Sequence, residues 1–156
     1  MRQDNQREAI LLSYLAGIVD GEGTIRINAQ RLSKKPHWNI RYAPSISIGM
    51  TNKEIIELFV KVFGSKLREE CVPNRKKMFR WGTSGTIRVL NIVKKLYPYL
   101  IVKKEQARLL IEFCENKQTN GFRRNEYLPD SELQRRKELY EKVKKLNAVG
   151  APATTK

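Results

Sequence analysis

Asp20 and Glu22 stand two residues apart, each followed by a glycine, after a stretch in which Ile10, Leu11, Tyr14, Leu15, Ile18 and Val19 recur at three and four. That spacing is helical over about residues 6–20, and Gly21 and Gly23 end it. Glu22 therefore follows a helix C-terminus, where the negative end of the dipole disfavours acids. Cations relieve such a cluster. Hard divalent ions, Mg²⁺ above all, take carboxylate, carbonyl and phosphate oxygens. Metals flanking a phosphate would polarise it and activate water. The plainer alternative is two solvated turn acids. Ser13, Gly17 and Gly21 fall four apart on the same helix, with Ala16 beside Gly17. Glycine inside a helix costs about 1 kcal/mol against alanine, so the stripe implies close approach of another backbone. That backbone belongs either to the chain's own elements or to a second copy related by a twofold axis. In the second case two Glu22 side chains converge.

Composition narrows the partner. The formal net charge of the 156 residues is +15, from 31 Lys+Arg against 16 Asp+Glu. Such an excess points to a polyanion. No apolar run approaches the ~20 residues of a membrane span, and the first residues lack a secretory apolar region. No membrane role is expected. Cys71 and Cys114 form neither a zinc pattern nor a disulfide framework, which favours a reducing, intracellular setting. With His37 the only histidine, a histidine triad or histidine-rich metal site is disfavoured.

The elements that must position these residues follow in order. After the first helix the period changes to two, with Ile25, Ile27 and Ala29 alternating with polar residues. A polar loop at residues 33–37 leads to a second alternating strand through Ile40, Tyr42, Ile46 and Ile48, in which Pro44 implies a bulge or an edge. A helix starts at Thr51-Asn52-Lys53-Glu54 and stops at Gly64. Strands are expected near residues 66–72 and 78–83, joined by Pro73-Asn74-Arg75-Lys76-Lys77. Helices are expected over residues 86–96 and 101–114, and a last one from Pro129-Asp130-Ser131 to near Leu146. Two hairpins separated by a helix favour an α+β fold, with an antiparallel sheet and helices on one face. Residues 1–147 read as one domain and 148–156 as a disordered tail.

The nine residues Leu15 to Gly23, LAGIVDGEG, resemble the LAGLIDADG motif of homing endonucleases. The resemblance extends through the αββαββα order over about residues 6–114, and it implies that core with a saddle-shaped sheet, plus C-terminal helices. It implies that Glu22, at the eighth motif position, is a metal ligand assisted by the carbonyl of Gly21. Asp20, at the sixth, would be mainly structural. The segment Leu96-Tyr97-Pro98-Tyr99-Leu100-Ile101-Val102-Lys103 resembles the one carrying the family's active-site lysine, which makes Lys103 the candidate. Asn52 is the best match for a water-positioning residue, and Lys53 for a nearby basic one. A single motif in a short chain implies a homodimer, with Ser13, Tyr14, Gly17 and Gly21 at its interface. The implied cofactor is Mg²⁺, with Mn²⁺ or Ca²⁺ able to substitute in binding.

Strand alternation then supplies a face for double-stranded DNA. One side of the sheet takes Ile25, Ile27, Ile46, Ile48, Leu67, Phe79 and Trp81. The other carries Thr24, Arg26, Asn28, Gln30, Asn39, Arg41, Ser45, Ser47, Lys66, Arg68, Glu70, Lys76, Met78 and Arg80, side chains able to read base edges in a major groove. Lys34, Lys35, Arg75, Lys76 and Lys77 at the hairpin tips suit phosphates. The C-terminal basic runs read mostly as a solvated helix face. The expected activity is metal-dependent cleavage of both strands of a long pseudo-palindromic site, leaving 3′ overhangs. An RNA-binding intron maturase and a non-catalytic regulator are the alternatives.

Overall fold

The structure, a computed structural model, describes residues 2–31, 40–119 and 128–148. Lys34, Lys35, Asn39, the loop at 33–37 and the tail after Ala148 lie outside the described residues. Helix α1 (Arg2–Glu22) is longer than its periodicity predicts and keeps Gly21 and Glu22 in its last turn. Leu12, Leu15, Ala16 and Val19 are buried along one side of it. The chain then turns at once into β1 (Gly23–Arg31). A Cβ on Gly23 would lie 2.8 Å from both the Cα and the carbonyl oxygen of Val19, so only glycine allows that abrupt exit.

Strand β2 (Ile40–Met50) pairs antiparallel with β1 in one unbroken register from Gly23↔Ile48 to Arg31↔Ile40. Pro44 therefore makes no bulge. The ladder to β4 (Met78–Ser84) begins only at Ser45↔Ser84, so at Pro44 strand β2 has a neighbour on one side alone. Helix α2 (Lys53–Phe63) separates the hairpins. Strand β3 (Arg68–Glu70) is shorter than expected and leaves Lys66 and Leu67 outside the ladder. The sheet order is β1-β2-β4-β3. The α+β class and the αββαββα order hold.

Helix α3 (Thr86–Leu96) has the expected bounds. A 3₁₀ turn over Tyr97–Tyr99 absorbs Pro98. Helix α4 (Lys104–Thr119) begins later than predicted, because Ile101 and Val102 are not part of its apolar face. They are 84% and 71% exposed in a turn whose N–H groups go elsewhere. Helix α5 (Asp130–Ala148) closes the described chain. Pro129 opens it by accepting from the N–H groups of Glu132 and Leu133, both at 3.0 Å. One core cluster runs from Leu12 of α1 through Ile25, Ile46, Ile48 and Trp81 of the sheet to Leu139 and Val143 of α5.

Candidate functional site

The end of α1 and the turn before α4 are laced together in both directions. The Asp20 carboxylate accepts from the backbone N–H of Ile101 through Oδ2 and of Lys103 through Oδ1, each at 2.8 Å. The Lys103 ammonium donates back to the carbonyls of Val19, at 2.9 Å, and Asp20. A cation thus answers the orphan carbonyls and negative dipole of a helix end. Burial holds the Lys103 ammonium below the ordinary lysine range, against the opposing pull of the Asp20 and Glu22 carboxylates. The two residues singled out as catalytic, Glu22 and Lys103, therefore share one neighbourhood.

Their partners differ. Both Asp20 oxygens are engaged, while Glu22 is exposed and makes no hydrogen bond or ion pair among the described residues. Lys103 takes the carbonyls of Val19 and Asp20 and not that of Gly21. The Glu22 carboxylate and the Gly21 carbonyl are hard oxygen donors of the kind Mg²⁺ and Ca²⁺ accept. They are too few to hold an ion alone, and the described residues contain no group of three or more His, Cys, Asp or Glu able to do so. The donor set fits a site completed by other oxygens.

Among the described residues the small-residue stripe serves no packing within the chain. Ser13, Tyr14, Gly17 and Gly21 are all exposed, and a Cβ built on either glycine meets nothing within 4 Å. Ile10 and Tyr14, on the same outward side of α1, are 62% and 52% exposed. Of the two backbones the sequence allowed, the chain's own is eliminated among the described residues.

Asn52 has a local task. Its Oδ1 accepts from the N–H of Ile55 at 3.3 Å, as the N-cap of α2. Lys53 pairs with Glu57 at 3.3 Å. Neither residue has a described bond to Asp20, Glu22 or Lys103.

The sheet register puts Thr24, Arg26, Asn28 and Gln30 opposite Ser47, Ser45, Ala43 and Arg41, on the side away from the core residues Ile25, Ile27, Ile46 and Ile48. Arg68 and Arg80 face one another on that side, as do Glu70 and Met78. Three departures matter. Ser45 is only 9% exposed and accepts from Asn28 Nδ2 at 2.9 Å, so its hydroxyl orients Asn28. Arg80 is paired with Glu70, so one cation of the face already has its counter-charge, while Lys77 is paired with Glu69, which is in register with Phe79 on the other side. Lys66, Arg75 and Lys76 lie outside the strands.

The LAGLIDADG endonuclease family model matches residues 15–129. The DNA endonuclease I-CvuI of Chlorella vulgaris is 26% identical over 121 residues, covering 74% of this chain and 70% of that protein. A crystal structure of the homing endonuclease I-CvuI in complex with the I-CreI target superposes with a TM-score of 0.74 at 22% identity, covering 96% of this chain and 88% of that one. The archaeal intron-encoded homing endonuclease I-Vdi141I complexed with DNA gives 0.72 at 22% identity, covering 97% and 91%. The structural likenesses carry the fold.

Proposed function

The chain belongs to the LAGLIDADG endonuclease family, and we propose that it works as a homodimeric, site-specific homing endonuclease that cuts both strands of duplex DNA with a divalent metal. The observation that carries this reading is the pairing of an open glycine stripe with a free carboxylate at its end. Gly17 and Gly21 leave room for a second helix, and Glu22 follows them directly. Two copies packed through Ser13, Tyr14, Gly17 and Gly21 bring two Glu22 carboxylates to the twofold axis. The exposed Ile10 on the same side of α1 extends the apolar contact.

Each Glu22, with the Gly21 carbonyl and phosphate oxygens, would hold Mg²⁺, with Mn²⁺ or Ca²⁺ able to substitute in binding. When bound, the metal supplies polarisation of the scissile phosphate and acidification of a water. Lys103, fixed by Asp20, presents an ammonium beside the carboxylate and offsets negative charge developing on the phosphate. The outward face of β1, β2 and β4 lies in the major groove, where Arg26 and Arg41 suit guanine and Asn28 and Gln30 suit adenine. Twofold symmetry makes the target pseudo-palindromic, and cleavage leaves 3′ overhangs. I-CvuI has been crystallised with its target in the presence of Ca, and with the I-CreI target, uncleaved, in the presence of Mg, which supports by analogy DNA binding alongside a divalent ion. No observation favours the maturase or regulator alternatives, and the free Glu22 with its neighbouring Lys103 is what a nuclease requires.

The test is sedimentation with and without target duplex, together with Mg²⁺-dependent linearisation of a plasmid carrying the site at which the coding element inserts. A dimer on DNA and a linear product are expected. Monomer alone on DNA, or no cutting, contradicts the proposal.

A further inference from the structure

A cleft of about 700 Å³ lies at the β3 edge of the sheet. Its walls are the turn leaving α2 (Phe63, Gly64, Ser65), Lys66 and Arg68 leading into β3, and Arg88 of α3. The turn is held firmly. Gly64 and Ser65 both have positive φ, 75° and 74°. They are pinned by Trp81 Nε1 donating to the Gly64 carbonyl at 2.8 Å, and by Ser65 Oγ donating to the Gly82 carbonyl at 2.9 Å.

The charges around this cleft are unbalanced. No acidic residue lines it. Lys66, Arg68 and Arg88 make no ion pair among the described residues, whereas the nearby acids Glu69 and Glu70 already hold Lys77 and Arg80. Three cations around one cavity without a counter-charge repel one another and attract an anion.

The sheet geometry says which anion. Neighbouring strands lie about 4.8 Å apart, so the outer strands of a four-stranded sheet are about 14 Å apart. A major groove is about 12 Å wide. A sheet lying in it brings its edge strands against the sugar–phosphate walls. Arg68 belongs to the reading face, opposite Arg80, while Arg88 reaches the cleft from the helical side. The cavity thus opens around the edge of the sheet, where a duplex seated on the reading face would bring a backbone phosphate.

We propose that Lys66, Arg68 and Arg88 form a phosphate clamp that grips the duplex backbone beside the groove, with Arg88, outside the sheet, as its anchor. The inference rests on the DNA-binding reading above. A phosphate clamp positions the duplex and carries no base information.

The experiment measures affinity by fluorescence anisotropy for cognate and scrambled duplexes of equal length across a salt titration. Arg88→Gln is expected to weaken both duplexes alike, by about three- to tenfold, and to lower the slope of log K against log salt by about 0.9. Arg88→Lys should recover most of the slope. Lys94→Gln on the same helix, where Lys94 is paired with Glu115 at 2.6 Å, should leave the slope unchanged. A urea midpoint for each variant separates loss of fold from loss of contact. Wild-type slope and affinity in a folded Arg88→Gln variant overturn the clamp alone, as does a loss confined to the cognate duplex, which would make Arg88 a base reader. A wild-type protein that binds no duplex overturns the nuclease reading and the clamp together.

Discussion

Asp20 and Lys103 hold each other twice: the Asp20 carboxylate accepts the Lys103 backbone N–H at 2.8 Å, and the Lys103 ammonium donates to the Asp20 carbonyl. The same carboxylate takes the N–H of Ile101. Both oxygens of the Asp20 side chain are thereby engaged, and they tie the Lys103 backbone to the end of α1, near Glu22. Asp20→Ala removes two bonds to a charged acceptor and should cost about 2–4 kcal/mol of stability. Because misplacement of a catalytic group by about 1 Å is severe, the single-turnover cleavage rate should fall on the order of 10- to 100-fold, with duplex affinity little changed. Equal loss of rate and affinity would mean that Asp20 supports the fold only.

Gly17 separates the chain's own needs from those of a dimer. Nothing lies within 4 Å of a Cβ built there. Gly17→Ala should therefore stabilise the isolated chain by about 1 kcal/mol, and Gly17→Val should not destabilise it. The same Gly17→Val should shift sedimentation to monomer and abolish cutting, because its branched side chain holds two helices apart. A Gly17→Val protein that remains dimeric would remove α1 from the interface.

Much of this was legible in the sequence, for reasons particular to each element. The period of two through Ile25, Ile27, Ile46 and Ile48 gave the buried face of the sheet, since alternation leaves no other choice of side. Asn52 and Gly64 bounded α2 through a cap and a positive φ, both local effects. Contacts between distant residues were not legible. The N–H groups of Ile101 and Lys103 delay the start of α4 because they meet an acid more than eighty residues earlier in the chain. The spacing of Asp20 and Glu22 also gave no sign that only one of them is free. Arg136, read as part of a solvated basic face, is 7% exposed and bonded to Glu132 at 2.7 Å. Arg88 lies in a segment whose spacing predicts only a helix, and its surroundings come from α2 and β3.

Lys117 contributes to the pH dependence of stability. Its ammonium donates to the Tyr42 carbonyl at 3.3 Å and lies 5.8 Å from the Phe113 ring centre. Burial, then Arg136 and Arg41, hold it below the ordinary lysine value. In the window below the unfolded lysine value of about 10.5 the unfolded chain binds more protons than the folded one, so this group's contribution to stability rises with pH there. Lys117→Met keeps the packing and should be neutral or stabilising by about 1 kcal/mol near neutral pH. Urea unfolding at about pH 8 and about pH 10 should show wild type gaining on the variant as pH rises. A gap that stays constant, or moves the other way, would contradict the assigned environment.

The central claim is that Glu22, free at the end of α1, is the carboxylate on which cleavage depends. The most direct measurement compares wild type with Glu22→Gln, in Mg²⁺, for binding to the target duplex and for linearisation of a plasmid that carries it. Wild type should bind and cut, while Glu22→Gln should bind with undiminished affinity and leave the plasmid intact, because an amide keeps the shape and loses the charge that a hard cation requires. Retained cutting by Glu22→Gln would contradict the claim and move the metal site away from the end of α1.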